Sequence, residues 1–119
     1  MLSVKKLLTK VLSRFGTDVT VVNAENGITG ELRVVKDRAS GTVRCYGYYR
    51  RNTDINTSTT IYTIPAAYRP KSDMFVPMFI YTSGGVCAAY FGIVHTNGTI
   101  NQLLGGTIRE GYVSGEWSI

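Results

Sequence analysis

Two hydrophobic periods divide the chain. Before Gly16 the apolar residues recur at the spacing of one helical face, and they are Val4, Leu7, Leu8, Val11, Leu12 and Phe15. Ser3 can cap the start of this helix and Gly16 can end it. From Thr17 onward the apolar period is two, which is typical of strands. The pattern predicts an amphipathic helix over residues 1–16, serving oligomerisation or attachment, and a β-domain over residues 17–119.

About eight short segments of the second part have strand character, and clusters of Gly, Asn, Asp or Ser separate them. They read TDVTVVN, GELRVVKD, GTVRCYGYYRR, TTIYTIP, MFVPMFIYT, VCAAYFGIVHT, GTINQLLGG and EGYVSGEWSI. Asn97-Gly98 predicts a type I′ hairpin, and Asn26-Gly27 is a candidate for another. So many short antiparallel strands form a sandwich or a small barrel. We expect an all-β, antiparallel, jelly-roll-like β-sandwich with a short N-terminal α-helix.

All three prolines fall between residues 64 and 80. Pro65 and Pro70 should bracket an irregular connection, because proline lacks a backbone donor and restricts the residue before it. Pro77 lies inside an apolar strand segment. This position predicts a sheet edge or a bulge there, and not an ordinary central strand.

The helical stripe needs a cover, which is either the chain's own sheet or the same helix of neighbouring subunits. Val4, Leu7 and Val11 fit the a, d, a positions of a coiled coil, but Arg14 occupies the next d position. The other apolar residues widen the stripe, which favours a bundle of three or more helices. The strand over residues 86–96 is apolar on both faces, so a neighbouring subunit is the simplest cover for its second face.

Composition limits the classes of function. The 119 residues suffice for one domain with one core. Of thirteen Lys and Arg, four lie in the first 16 residues. The rest of the chain has nine Lys and Arg and eight Asp and Glu, so its net charge is close to zero. This distribution argues against nucleic-acid binding. The N-terminal apolar residues are too interrupted for a signal peptide and too few for membrane insertion, so we expect synthesis in the cytoplasm.

Candidate catalytic residues are sparse, and we expect no enzyme. His95 is the single histidine and belongs at a strand end. The paired carboxylates that cleave glycosides have only chance candidates, Asp54 with Asp73 and Glu110 with Glu116. Cys45 and Cys87 fit two buried free thiols, with a disulfide between strands as the alternative. Their spacing offers no metal site, and no cofactor is expected.

Binding residues are more plausible, and the segment YGYYRRNTDIN combines flat rings with forked donors and acceptors. The segment offers Tyr48, Tyr49, Arg50, Arg51, Asp54 and Asn56, and the candidates chosen from it for ligand contact are Tyr49, Arg51, Asp54 and Asn56. Trp117, the sole tryptophan, joins them if it is exposed in a groove. Packing in the core or at an interface is the favoured alternative for Tyr49 and Trp117, and a solvated surface role is the favoured alternative for the other three.

The order of several short motifs adds a resemblance. IYTIPAAYRPKSDMFVPMFI, then CAAYFGIVHTNGTI and the closing GYVSGEWSI, resemble the C-terminal domains of tail-fibre and baseplate receptor-binding proteins from phages of Gram-positive bacteria. The resemblance covers roughly residues 40–119 and depends on the order of motifs that are individually weak. We expect no long shaft or tail-anchoring domain in this protein.

The resemblance implies a homotrimeric β-sandwich head whose N-terminal helices form a three-helix bundle near the virion attachment end. The implied function is adhesion to a host cell-wall saccharide, from a location in the virion tail. Partners would be two further copies of the chain and other tail or baseplate proteins, contacted through the N-terminal end. The alternative is a non-adhesive structural subunit of the tail or baseplate.

Overall fold

Eight strands follow one another along the chain, as the alternating pattern predicts. The computed structural model describes residues 3–6, 8, 16–82, 84–104 and 108–119. The strands are β1 (Thr17–Asn23), β2 (Thr29–Asp37), β3 (Thr42–Arg50), β4 (Tyr62–Thr63), β5 (Met74–Thr82), β6 (Cys87–Val94), β7 (Thr99–Gln102) and β8 (Ile108–Ser118). A 3-10 turn, Ala66–Tyr68, follows Pro65 between β4 and β5, so the predicted irregular connection is confirmed.

The start of the N-terminal helix is also as predicted. Residues 4–6 and 8 are helical, and the backbone N–H of Lys6 donates to Ser3 Oγ at 3.2 Å, which is an N-cap. Val4 is 75% exposed and Leu8 is exposed too, so the body of the same chain does not cover this part of the stripe. Four of the stripe residues lie outside the described residues: Leu7, Val11, Leu12 and Phe15.

The described strands form one antiparallel sheet in the order β1-β2-β3-β8-β5-β6-β7-β4. The sheet curls until its outer strands approach each other, so the fold is a nearly closed, barrel-like sandwich. Three hydrogen bonds join the edges at or just beyond the strands, and one of them is donated by the Thr63 hydroxyl to the Glu25 carboxylate at 3.0 Å. The N–H of Glu25 donates to the Ile61 carbonyl at 3.0 Å, and Asn26 Nδ2 donates to the Thr60 carbonyl at 2.8 Å.

The core occupies the inside of this sheet. Alternate residues of the long strands point inward and are buried, among them Leu32, Val34, Val43, Val76, Met78, Ile80 and Val113. Burying each such side chain stabilises the fold by roughly 1.5–3 kcal/mol. The sheet has a proximal end, where Gly16 leads into β1, and a distal end, where Asn23, Arg50 and Glu110 lie.

The edge position predicted for Pro77 is wrong. Strand β5 lies between β6 and β8, and Pro77 is opposite Phe91 of β6. On the other side the pairing with β8 runs from Met78 to Thr82 and leaves Pro77 out. A central strand therefore accommodates this proline because the ladder with β8 begins one residue later. The register shift in the pairing of β5 with β8 lies at Tyr81/Thr82.

The type I′ turn forms at Asn26-Gly27 and not at Asn97-Gly98. Gly98 has a φ of +89° while Asn97 is not among the residues with positive φ, so the β6–β7 hairpin is not type I′. The N–H of Gly98 donates to the His95 carbonyl, which makes a three-residue loop ending in a left-handed glycine. Asn26 and Gly27, with φ of +60° and +73°, have the signature of a type I′ turn.

Both cysteines are free. Cys45 is buried as predicted, and desolvation raises the pKa of its thiol to about 12. Cys87 is exposed, contrary to the prediction of a second buried thiol. It points outward at the distal end of β6, opposite Tyr81 of β5.

Candidate functional site

A polar cleft lies at the distal end of the sheet. It has two neighbouring parts, of about 320 and 440 Å³, which share Arg50, Arg51 and Asn52 in their walls. The first part is completed by Tyr81, Thr82, Gly85, Arg109 and Glu110. The second is completed by Gly27, Thr29, Gly30 and Tyr48. Cleft volumes of roughly 300–1,000 Å³ are those in which proteins bind small ligands.

The loop after β3 is held in place by Arg51. Its guanidinium donates to three backbone carbonyls: Asn26 at 2.9 Å, Thr53 at 3.4 Å, and Asp54. Because these acceptors belong to the loop itself and to the β1–β2 turn, Arg51 fixes the wall of the cleft. This leaves Arg51 less able to turn toward a ligand.

A bulge brings Arg109 to the outside. Opposite β5, Tyr81 pairs with Glu110 and Thr82 pairs with Ile108, so Arg109 is the additional residue of β8. Without this bulge, alternation would point Arg109 inward with Gly111 and Val113. Its Nε donates instead to Asp54 Oδ1 at 2.8 Å. Bulges commonly redirect a side chain in this way beside functional sites.

An aromatic pair borders the cleft. The ring centroids of Tyr48 and Tyr112 are 4.9 Å apart, on neighbouring strands. The Tyr48 hydroxyl donates to the Glu110 carboxylate, and this hydrogen bond raises the pKa of the phenol. Within the described part of the chain, the Arg50 side chain has neither a hydrogen bond nor an ion pair. Its guanidinium is therefore free to meet a ligand.

Two of the predicted ligand residues are in the core, which corrects their assignment. Tyr49 is 0% exposed, and its hydroxyl donates to Gln102 Oε1 at 2.8 Å. Trp117 is 4% exposed, and its indole N–H donates to the Tyr68 carbonyl at 2.8 Å. It also lies opposite Val43 at the proximal end. The alternative of core packing is the right one for both residues.

The other three predicted ligand residues differ in their position relative to the cleft. Arg51 lines the cleft, and Asp54 lies beside it through the ion pair with Arg109. Asn56 is exposed, but its Oδ1 accepts three hydrogen bonds, from the Ser58 backbone, the Ser58 hydroxyl and the Thr59 hydroxyl. Its side chain stabilises a local turn and is not in the cleft wall.

Sequence reasoning did not select Tyr48, Arg50, Asn52, Arg109 and Glu110, which complete the site. For the first two a signal was present. If Val43 and Cys45 face the core, then Tyr49 must face it too, and Tyr48 and Arg50 must face outward. The bulge at Arg109 has no comparable signal in the sequence.

The carboxylate pairs considered for glycoside cleavage are not close together. Glu110 and Glu116 are six residues apart on one strand, which corresponds to roughly 20 Å, whereas catalytic pairs are roughly 5–9.5 Å apart. Asp54 pairs with Arg109, and Asp73 pairs with His95 at 3.2 Å at the other end of the sheet.

The described part of the chain contains neither a metal-binding cluster nor a membrane-spanning helix. No three His, Cys, Asp or Glu side chains there come together in a group that could hold a metal ion. Among the same residues, no helix has the length and apolar character needed to cross a membrane.

Comparisons with known proteins do not assign the chain to a family. No family model matches it, and a search of curated proteins found no match.

Proposed function

We propose that this protein is a receptor-binding component of a phage tail, which recognises a host cell-surface saccharide without catalysing a reaction. In this proposal three copies assemble through their N-terminal helices. The N-terminal end attaches to other tail or baseplate proteins, and the β-domain forms the head. The motif order that resembles phage receptor-binding domains is the reason for choosing this class.

The observation that carries the proposal is the position and lining of the distal cleft. Strand β3 runs from the proximal end at Thr42 to the cleft at Arg50, which is roughly 25 Å along the sheet. Gly16, which leads into β1, lies at the opposite end. An attachment through the N-terminus would therefore leave the cleft facing away from the virion.

The lining suits a saccharide. Sugar rings present apolar faces that stack on aromatic rings, and hydroxyls that need both donors and acceptors. Tyr48 offers a partly exposed ring, Arg50 and Asn52 offer donors, and Glu110 and the Asn52 amide oxygen offer acceptors. Each contact is weak alone, and three linked clefts would multiply the affinity.

A glycan array of bacterial wall saccharides tests the proposal, with wild type compared with Arg50→Ala and Arg44→Ala. Both arginines lie on the outer face of β3, but only Arg50 lines the cleft. We expect wild type and Arg44→Ala to bind the same saccharide and Arg50→Ala to bind it at least about tenfold more weakly. Uniform silence of the wild type, or equal loss in both variants, would count against a saccharide site in the cleft.

The second candidate is a structural tail subunit that binds only other tail proteins. The observation in its favour is that Arg51 and Asp54 are already engaged within the chain, by carbonyls and by Arg109 respectively. On this alternative the array stays silent, while the protein remains part of purified virions. Neighbouring genes for tape-measure or baseplate proteins would support both candidates, and an unrelated metabolic neighbourhood would oppose both.

A further inference from the structure

The outer surface of four central strands carries a continuous group of large exposed rings. We call it the aromatic face; its residues are Tyr46, Tyr48, Phe75, Phe79, Phe91 and Tyr112. The register places Tyr48, Tyr112 and Phe79 in one row across β3, β8 and β5. Phe91 lies opposite Pro77, between Phe75 and Phe79. Phe75, Phe79 and Phe91 are 69%, 55% and 56% exposed.

The area is large for a surface that faces only water. With about 200 Å² for a whole aromatic side chain, the exposed fractions of these six rings give roughly 600 Å². The largest apolar patch of a typical monomer is about 300–600 Å², and each side of a standard protein interface buries about 800 Å². The aromatic face alone thus supplies most of one side of a stable protein interface.

The chemistry at its centre suits protein better than sugar. Phe75, Pro77, Phe79, Phe91 and Ala89 have no hydrogen-bonding side-chain groups, so saccharide hydroxyls placed there would lack partners. The polar cleft adjoins this face at its distal margin, where Tyr48 belongs to both surfaces.

The charges at the margin of the aromatic face favour a second copy of this chain as the binding partner. Arg44 and Arg50 of β3 lie directly opposite Glu116 and Glu110 of β8. Arg33 and Glu31 of β2 are exposed opposite Tyr46 and Tyr48, so the margin carries three positive and three negative charges. A surface with both signs in equal number can face a second copy of itself without net repulsion. The exposed helical residues Val4 and Leu8 are a second uncovered apolar surface on the same chain, which also favours self-association.

We propose that the aromatic face is a contact surface between copies of this chain. It deepens the assembly part of the proposed function by adding a contact on the body to the one through the helices. It does not depend on saccharide recognition. The interface would cover the outer side of β6 that the single chain leaves exposed.

Sedimentation velocity of the full-length chain, from low to high micromolar concentration, tests this proposal. Phe79→Lys/Phe91→Lys introduces two charges on the aromatic face at exposed positions. Val19→Lys/Val21→Lys introduces the same charges on the exposed outer side of β1 and is the matched control. We expect the first variant to associate at least about tenfold more weakly than wild type, and the control to associate like wild type. Circular dichroism checks that both variants fold.

A native thiol separates this contact from association through the helices alone. Cys87 is exposed on the outer side of β6, on the same side as Phe91, whereas Cys45 is buried. We expect the reaction of Cys87 with Ellman's reagent to slow as wild type associates. It should slow less in Phe79→Lys/Phe91→Lys, and also in Val4→Lys/Leu8→Lys if the two contacts cooperate.

Three results would overturn the proposal. They are a wild type that stays monomeric at all concentrations, association unaffected by Phe79→Lys/Phe91→Lys, and Cys87 reactivity independent of association. A monomeric wild type would mean that a different protein covers the face or that nothing does. Loss of glycan binding with an intact oligomer would instead contradict the adhesin function and leave this interface standing.

Discussion

At the scale of single residues, the most informative group is the buried polar pair behind the cleft. Tyr49 donates to Gln102 Oε1 at 2.8 Å, and Gln102 Nε2 donates to the Ile55 carbonyl at 2.7 Å. This pair connects β3 and β7 to the loop that forms the cleft wall. Tyr49→Phe leaves the Gln102 oxygen buried without its donor. We expect a loss of roughly 1–3 kcal/mol in the free energy of unfolding, measured by urea denaturation.

The control for this variant is Tyr46→Phe on the same strand. Tyr46 is exposed and its hydroxyl has no hydrogen bond within the described residues, so its removal should change the free energy of unfolding by less than about 0.5 kcal/mol. Equal losses in the two variants would show that the Tyr49 hydrogen bond contributes nothing specific.

A second residue-scale prediction concerns acid stability. The Thr96 N–H donates to Asp73 Oδ1 at 3.0 Å and the His95 ring lies 3.2 Å from Oδ2; these contacts, Thr96 first, lower the pKa of Asp73 below its ordinary value. A lowered folded-state pKa adds stability above the unfolded-state pKa, and this stability is lost as pH falls through the folded-state value. The Tm of wild type should therefore exceed that of Asp73→Asn at neutral pH, and the difference should shrink below about pH 4.

Calorimetry between neutral and strongly acidic pH measures this difference. Glu116→Gln is the control, because the Glu116 carboxylate is exposed and has no hydrogen bond among the described residues. The Tm difference between wild type and Glu116→Gln should change little with pH. A Tm difference for Asp73→Asn that is constant with pH would contradict the role of the Thr96 and His95 contacts.

At the scale of elements, the β6–β7 hairpin depends on one glycine. Gly98 has a φ of +89°, and a Cβ there would collide with the Ile64 carbonyl oxygen. Gly85 has a similar φ of +80°, but a Cβ there has no neighbour within 4 Å. Gly85→Ala should therefore lower the free energy of unfolding only through the left-handed strain, by roughly 1–2 kcal/mol. Gly98→Ala should lower the free energy of unfolding by roughly 1–3 kcal/mol more than Gly85→Ala does, since the collision adds to the strain.

Thermal or urea unfolding measures the free energy of unfolding of the two alanine variants, and the difference between them is the contribution of the collision. If both lose the same stability, the close approach of the hairpin to Ile64 does not constrain the fold.

Strands were predictable from the sequence where alternation is strong, but of the two Asn-Gly turns only Asn26-Gly27 has the type that its sequence predicts. Strand β5 was predicted with its observed bounds, because MFVPMFIYT is apolar and flanked by polar residues. The Asn97-Gly98 turn was not, because its type follows from the register of two strands. His95 and Thr99 face each other and leave three residues for the loop. Two-residue turn propensities do not contain that register.

The same distinction applies to the candidate site. Alternation on β3 assigns Tyr49 inward and Tyr48 and Arg50 outward, so this part of the site was within reach of the sequence. The outward position of Arg109 was not, because the bulge forms only when β8 pairs with β5. Residues brought in by long-range pairing require the structure.

At the scale of the whole molecule, topology explains the position of Pro77. The last strand of the chain, β8, lies between β3 and β5, and this makes β5 central although its proline suggests an edge. Local sequence cannot reveal that insertion, because the partners are more than 25 residues apart along the chain. The real edges are β1 and β4, neither of which contains proline.

The seam between these two edges gives the last prediction. Short contacts beyond the strands close it, including the Asn26 side chain to Thr60 and the Glu25 N–H to Ile61. Asn26 has a φ of +60°, which glycine adopts without strain, so Asn26→Gly removes the side-chain hydrogen bond and little else. Regions with few contacts open locally before the core does. Hydrogen exchange of the Glu25 amide should therefore become about tenfold faster, while Cys45 and Gly115 amides in the central β3–β8 pair keep their protection. Asn23→Ala, two residues from Glu25, is the control and should leave the Glu25 amide unchanged. If all these amides instead accelerated together, the seam and the central sheet would be one cooperative unit, and closure would depend on the whole barrel and not on its edges.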